Sequence, residues 1–120
     1  MLLIDAANVV GSRPTGWWRD RAEAARSLVE RIGEAMAASR LEGPVVIVLE
    51  GAARRGLKEG AIDGIEIVHA KGAGDDTLAA LATAATEPVT LVSADRALRE
   101  RVRAVGADVV GPSWLLERIS

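Results

Sequence analysis

Short runs of apolar residues, each about the length of a β-strand, recur along the chain. The run from Val45 to Leu49 is rich in β-branched residues, and the run over residues 1–5 ends in an acid. Continuous apolar runs are typical of strands buried on both faces of a parallel sheet. The pattern predicts five strands, over residues 1–5, 45–50, 65–69, 88–93 and 107–111.

Between these runs, apolar residues recur every three or four positions, which is the spacing of one helix face. The longest such stretch, residues 18–39, has Trp18, Ala22, Ala25, Val29, Ile32 and Met36 at this spacing. Further helices are predicted over residues 75–86 and 95–105, and a last one begins near Pro112, a favoured residue in a first helical turn. Glycine-containing segments 11–16 and 52–64 are predicted loops.

This alternation of strands and helices predicts a doubly wound α/β fold. The chain of 120 residues shows no internal repeat and no low-complexity segment. We therefore expect a single three-layer domain over residues 1–120, with a mostly parallel sheet of about five strands and helices on both faces.

Acidic residues follow four of the five predicted strands. The carboxyl ends of parallel strands meet at one edge of such a sheet, where ligands bind at the switch in strand order. Carboxylates brought together there repel one another unless a cation shares the site. The sequence therefore predicts an acidic cluster at this edge, formed by Asp5, Glu50, Asp75, Asp76 and Asp95.

Helix capping is the competing explanation for several of these acids. Asp75, Asp76 and Asp95 each lie at the start of a predicted helix, where aspartate binds free backbone N–H groups. Asp5 precedes the sequence AAN and no predicted helix, so capping does not explain it. Glu50 precedes Gly51 and is equally compatible with a solvated side chain. Capping alone does not require all of these acids to lie at one edge.

Composition limits the chemistry of such a cluster. The chain has no cysteine and one histidine, His69, so disulfides, thiolate zinc sites and multi-histidine sites within one chain are excluded. Oxygen ligands suit Mg²⁺ or Mn²⁺. The absence of a basic leader and of any long apolar run predicts a cytoplasmic protein without a membrane span.

Basic residues near the acids are the candidates for substrate binding. The net charge of −2 is weak evidence against strong nonspecific nucleic-acid binding, so the position of each basic residue matters more. Several basic side chains follow predicted strands at the acidic edge, although a solvated polar loop explains them as well. Together with Arg96, which follows Asp95, the predicted substrate-binding residues are Arg13, Arg54, Arg55, Lys58 and Lys71.

Four segments resemble one known family along nearly the whole chain. LLIDAANVVGSRPTGWW, VVIVLEG, GAGDDTLAALA and TLVSADRALRERVRAVGADVVGPSWLL are similar, in this order, to the NYN (YacP-like) branch of the PIN-like ribonucleases. The aspartate and asparagine of the family's first motif match Asp5 and Asn8. The paired acids match Asp75 and Asp76, and the last motif matches Ser93, Asp95 and Arg96. Glu50 stands where aspartate is more usual.

The resemblance implies a PIN-like fold and a Mg²⁺- or Mn²⁺-dependent ribonuclease. Asp5, Asp76 and Asp95 would be the metal ligands, and Asp75 and Glu50 would bind the metal through water or act as general base. Asn8 and Ser93 would orient these ligands or the scissile phosphate.

Other functions stay open at this point. One is a phosphatase or nucleotide pyrophosphohydrolase with Asp5 as nucleophile, although Ala7 stands where a dehalogenase-type phosphatase has a second acid. Another is a catalytically inactive module that binds RNA or a protein partner. The sequence also leaves open a homodimer, and a toxin-like nuclease held by a protein inhibitor that nothing here identifies.

Overall fold

A single mixed sheet forms the centre of the protein. The computed structural model describes residues 1–12 and 19–120. Within them, six strands lie in the order β3-β4-β2-β1-β5-β6, and all neighbours are parallel except β3 and β4. The strands are β1 (Leu2–Asp5), β2 (Val45–Leu49), β3 (Gly60–Ile62), β4 (Ile65–His69), β5 (Thr90–Val92) and β6 (Asp108–Val110).

Helices cover both faces of this sheet. They are α1 (Ala6–Gly11), α2 (Arg21–Ala37), α3 (Gly74–Ala84), α4 (Arg96–Arg103) and α5 (Pro112–Ile119), with a 3₁₀ helix at Gly51–Gly56. Alternate residues of β1 point to opposite faces, so Ile4 packs with α1, α2 and α5, whereas Leu3 packs with α3 and α4. Both side chains are fully buried. The predicted three-layer α/β fold with a mostly parallel sheet is confirmed.

The strand order contains one switch at the centre of the sheet. From β1 the chain proceeds to β2 and β4 on one side, and then crosses to β5 and β6 on the other side. The segments that follow the neighbouring strands β1 and β5 therefore leave the sheet in different directions, and a crevice opens between them at the carboxyl edge. None of the described helices is both long enough and apolar enough to cross a bilayer.

The segment 52–64, predicted to be a loop, instead contains most of the 3₁₀ helix and, after a short connection, the edge strand β3. All three residues of β3 are exposed, so the strand lacks the buried pattern on which the prediction depended. Gly56 lets the 3₁₀ helix approach α2, because a Cβ at this position would collide with the carbonyl oxygen of Ala22.

The start of the chain also differs from the prediction, because α1 begins directly after Asp5. This helix has six residues, too few to produce a repeating apolar face. Asp5 is its N-cap, so the expectation that Asp5 has no helix to cap is wrong. The predicted start of the long helix at residue 18 lies outside the described residues, and α2 begins at Arg21 after the N-cap Asp20.

Candidate active site at the carboxyl edge of the sheet

Asp5 lies at the end of the central strand, with 9% of its surface exposed. Its Oδ1 accepts a hydrogen bond from the backbone N–H of Asn8 at 3.3 Å. Its Oδ2 accepts one from the hydroxyl of Ser93 at 2.9 Å. A carboxylate has about four lone-pair sites. Asp5 is therefore fixed in place by two neutral donors and keeps acceptor capacity for a ligand.

Two further hydrogen bonds join the segments that follow β1 and β5. Fully buried Ser93 also accepts a hydrogen bond at Oγ from the backbone N–H of Asp95 at 3.1 Å. The side-chain oxygen of Asn8 accepts one from the backbone N–H of Ala94 at 2.8 Å. We call Asp5, Asn8, Ser93 and Asp95 the Asp5 network. It brings together, at the switch in strand order, four residues that the sequence predicted for the site.

Asp95 has a capping role as well as a place in this network. Its Oδ1 accepts a hydrogen bond from the backbone N–H of Leu98 at 3.0 Å, so it is the N-cap of α4. This contact commits one carboxylate oxygen and orients the side chain. Capping and ligand binding are therefore compatible at this position, because Oδ2 is not used by the cap.

The pKa of Asp5 is raised above its ordinary value, and burial of the carboxylate is the largest cause. The hydrogen bonds from Ser93 and Asn8 act in the opposite direction, because they favour the charged form. The negative charges of Glu50 and Asp95 raise the pKa further. Three carboxylates thus interact at this edge, and a positive charge among them would relieve both the desolvation and the repulsion.

Glu50 follows β2 and is held by the next helix along the edge. Its Oε2 accepts a hydrogen bond from the backbone N–H of Gly74, the first residue of α3, at 2.8 Å. Its Oε1 accepts no hydrogen bond from any residue within 1–12 or 19–120. Glu50 is therefore neither a freely solvated side chain nor a member of the Asp5 network.

Asp75 and Asp76 lie in the first turn of α3 and contact a basic residue of α4. Nη1 of Arg101 lies 3.0 Å from Oδ1 of Asp76 and 3.7 Å from Oδ2 of Asp75. We call Asp75 and Asp76 the Arg101 pair of carboxylates, because both contact Arg101. Their side chains are about half exposed or more. The sequence analysis did not single out Arg101, and its arginine-rich stretch gives no signal for this contact.

The oxygen donors at this edge suit a hard divalent cation. Among the described residues, no group of three acidic or histidine side chains is arranged so that it could hold a metal ion directly. Mg²⁺ usually keeps several waters and binds one or two carboxylates together with substrate phosphates. Asp5 and Asp95 fit this sparse type of site, because each has lone pairs left after its hydrogen bonds to the protein.

The predicted substrate-binding residues are spread around the same edge. Arg54 is fixed by hydrogen bonds to the carbonyl oxygens of Gly51 at 3.1 Å and Ala70 at 3.3 Å. With Arg55 and His69 it lines a cavity of about 340 Å³. Lys58, Lys71 and Arg96 are exposed. Arg13 lies outside the described residues.

His69 makes a local contact. Its Nε2 donates a hydrogen bond to the carbonyl oxygen of Leu57 at 2.7 Å, which connects the end of β4 to the segment after the 3₁₀ helix. A carbonyl oxygen can only accept, so this ring nitrogen carries the proton. The contact gives His69 a structural role at the end of β4.

Two crystal structures of one bacterial protein have a similar architecture. Rae1 (YacP) from Bacillus subtilis superposes with a TM-score of 0.79 and 20% sequence identity, covering 99% of this chain and 72% of Rae1. The chain shares its fold with Rae1. A single-residue variant of Rae1 gives a TM-score of 0.73 at 18% identity, covering 98% of this chain and 72% of the variant. No protein-family model and no curated protein matches the sequence.

The similarity to Rae1 confirms, at the level of the fold, the resemblance to the YacP-like branch that the four sequence motifs predicted. Identity near 20% does not carry individual residue roles from one protein to the other. The roles of Asp5, Asp76 and Asp95 therefore depend on the geometry of this chain.

Proposed function

We propose that the protein is a Mg²⁺- or Mn²⁺-dependent ribonuclease that hydrolyses RNA phosphodiester bonds at the edge formed by the Asp5 network. The observation that carries the proposal is the contact between Asp5 and Ser93. It joins two residues 88 positions apart at the switch in strand order. The fold shared with Rae1 (YacP) and the order of the four motifs support the same function.

Phosphodiester hydrolysis needs an activated water, a neutralised phosphate and a stabilised leaving oxygen. A divalent cation supplies charge neutralisation when bound and lowers the pKa of a coordinated water toward neutrality. This chemistry needs no histidine base, which agrees with the local contact that His69 makes. Asp5 and Asp95 are the proposed direct ligands. Asp76, which contacts Arg101 and forms no three-residue metal group with those two residues among the described residues, is the proposed third ligand once the cation and substrate are bound.

The residues of the Asp5 network keep the ligands in place. Ser93 holds the carboxylate of Asp5, and the side-chain oxygen of Asn8 holds the β5–α4 segment through Ala94. Because Ser93 is fully buried, these positions are set before substrate arrives. Preorganised polar groups of this kind avoid reorganisation during the reaction.

Glu50 is the proposed general base. Its Oε2 is committed to α3, whereas Oε1 has no hydrogen-bonding partner within residues 1–12 or 19–120. A carboxylate held at one oxygen and free at the other can take a proton from the attacking water without losing its position. Asp75 is the alternative base of the same edge.

RNA would be held by the basic residues of the 3₁₀ helix and the neighbouring loops. Arg54 is fixed against two carbonyl oxygens, so less side-chain entropy is lost when a phosphate binds. Phosphate contacts fix the position of a strand and carry no sequence information by themselves. We therefore expect weak base specificity from Arg54, Arg55, Lys58, Lys71 and Arg96.

The decisive experiment measures cleavage of a labelled RNA oligonucleotide with Mn²⁺ or Mg²⁺ and after chelation. We expect cleavage by the wild type with the metal and none with chelator. Asp5→Asn, Asp95→Asn and Asp76→Asn should each abolish it while circular dichroism spectra stay unchanged. Asp108→Asn, on the exposed face of β6, is the matched control.

Three results would contradict the proposal. Wild-type activity in all three variants would remove the acidic cluster from the mechanism. Hydrolysis of a phosphomonoester or nucleoside triphosphate in preference to RNA would favour a phosphatase. RNA binding without cleavage in Mn²⁺ would indicate an inactive binding module.

A further inference from the structure

The helix α3 receives its N-terminal cap from a distant part of the chain. Its N-cap residue is Ala73, which has no side chain that can accept a hydrogen bond. The first N–H groups of a helix need an acceptor, and the helix dipole favours a negative charge there. The carboxylate of Glu50 is that acceptor, through the 2.8 Å contact with Gly74, 24 residues further along the chain.

Gly74 is the residue that leaves room for this contact. A Cβ at this position would lie 3.2 Å from Cδ of Glu50 and 3.3 Å from each of its carboxylate oxygens. Carbon contacts this short are unfavourable, so a Cβ at residue 74 would move the carboxylate by a few tenths of an ångström. Glycine is also about 1 kcal/mol less favourable than alanine within a helix, so local helix stability does not explain it.

The contact links two parts of the edge. Asp5 pairs with Val48 in the sheet, so Glu50 follows only two residues beyond that pair on the neighbouring strand. On its other side, the contact fixes the first turn of α3, which carries Asp75 and Asp76. A single hydrogen bond thus sets the position of Glu50 relative to α3.

We propose that Gly74 is a positioning residue of the active site, because its missing side chain lets α3 hold the carboxylate of Glu50 beside the Asp5 network. This inference rests on the proposed ribonuclease function. Gly74 itself touches neither substrate nor cation in this scheme. Its effect passes through Glu50.

The test compares two glycine-to-alanine variants, one at the first residue of α3 and one two residues earlier in the chain. Gly74→Ala places a methyl group against Glu50, whereas a Cβ at Gly72 meets no atom within 4 Å. The carboxylate is the end of a flexible side chain, so we expect both variants to keep the wild-type Tm. We expect kcat for RNA cleavage to fall about tenfold in Gly74→Ala, since small misplacements of reacting groups are costly. KM should change little, and Gly72→Ala should resemble the wild type.

A double-mutant cycle with Glu50→Ala separates positioning from an unrelated effect of the methyl group. If Gly74 acts through Glu50, Gly74→Ala adds no further loss once Glu50 is absent. Additive losses, or equal kcat in Gly74→Ala and Gly72→Ala, would overturn the inference.

A spectroscopic measurement tests the contact without reference to activity. The amide proton of Gly74 should resonate downfield in the wild type because it binds a carboxylate, and it should move upfield in Glu50→Ala. An unchanged resonance would contradict the contact itself. If Asp5→Asn abolishes cleavage while Gly74→Ala does not reduce it, the ribonuclease proposal stands and the role of Gly74 falls. Absence of cleavage by the wild type would overturn both.

Discussion

The acidic residues of the carboxyl edge are held in two different ways. Asp5 is buried and bound by two neutral donors, the hydroxyl of Ser93 directly after β5 and the backbone N–H of Asn8 in α1. Asp76 is 76% exposed and is bound by Arg101, a long side chain that is itself 46% exposed. Buried hydrogen bonds are strong and costly to leave unmade, whereas exposed ion pairs contribute about 0–1 kcal/mol. The Asp5 network is therefore preorganised, and the Arg101 pair of carboxylates is exchangeable.

At a cation site, the two kinds of carboxylate would have different roles. A rigid carboxylate sets where the cation binds, and an exchangeable one accepts it when it arrives. In the second case the guanidinium of Arg101 already supplies a positive charge to Asp75 and Asp76. A cation that binds Asp76 therefore competes with the positive charge of Arg101, and three predictions test both halves of this contrast.

The largest effect on stability is expected for Ser93→Ala. The substitution removes the donor to the buried Oδ2 of Asp5 and the acceptor of the Asp95 N–H. Leaving a buried carboxylate oxygen without its donor costs about 1–3 kcal/mol. We expect a clearly lower Tm and strongly reduced RNA cleavage.

Ser113→Ala, at an exposed position of α5, is the matched control for Ser93→Ala. It should change neither the Tm nor cleavage. Equal Tm values for the two serine variants would show that the Asp5 network is not rigid, and the contrast with Arg101 would lose its basis.

For Asp5→Asn we expect an intermediate effect on the Tm, and this effect depends on the pH. The pKa of Asp5 is raised in the folded protein, chiefly by burial, so the folded state favours the protonated form. Protonation of Asp5 therefore stabilises the folded wild type fully at a pH below the pKa that Asp5 has in the unfolded chain. This stabilisation is lost as the pH rises through the higher pKa that Asp5 has in the folded protein. Without divalent cations, the Tm of Asp5→Asn relative to wild type should therefore increase with pH through the acidic range and level off above the folded pKa.

If the proposed metal dependence holds, Mn²⁺ should reverse this order, since it would bind only the folded site and stabilise the wild type more than the variant. Asp108→Asn, at the exposed start of β6, should show neither trend. A Tm difference between Asp5→Asn and wild type that does not change with pH would contradict the burial of a charged carboxylate at this position.

The fold was predictable where burial leaves a repeating pattern in the sequence. Fully buried β2 appears as an unbroken apolar run, and α2 shows a regular apolar face. Exposed β3 and the six-residue α1 leave no such pattern, so the prediction missed both. The physical causes differ, because β3 is exposed and so has no buried face, whereas α1 buries Ala6 and Val9 but is too short to repeat them.

The candidate site likewise has a part that the sequence predicted and a part that it did not. Strand ends fix backbone positions, so the strand pattern alone placed Asp5 at the carboxyl edge, whereas Ser93 was predicted for the site from the family resemblance. The contacts of Arg101 with α3 depend on the reach of a long side chain between two helices, which sequence spacing does not determine. Gly74 gave a faint signal, as the glycine directly before the paired acids, but its meaning depends on Glu50, which follows β2, 24 residues earlier in the chain.

The smallest effect on stability, and the sharpest test of exchangeability, is expected for Arg101→Gln. An exposed ion pair contributes at most about 1 kcal/mol and is weakened by salt, so the Tm should fall slightly at low ionic strength and hardly at all at high ionic strength. The Tm gain produced by Mn²⁺ should become larger, because no guanidinium then competes for Asp76. Arg103→Gln changes the same charge on the same helix and separates this local competition from a general loss of positive charge. If both arginine variants respond equally to Mn²⁺, the cation does not exchange with Arg101. The contact with Asp76 would then be a surface ion pair that plays no part in cation binding.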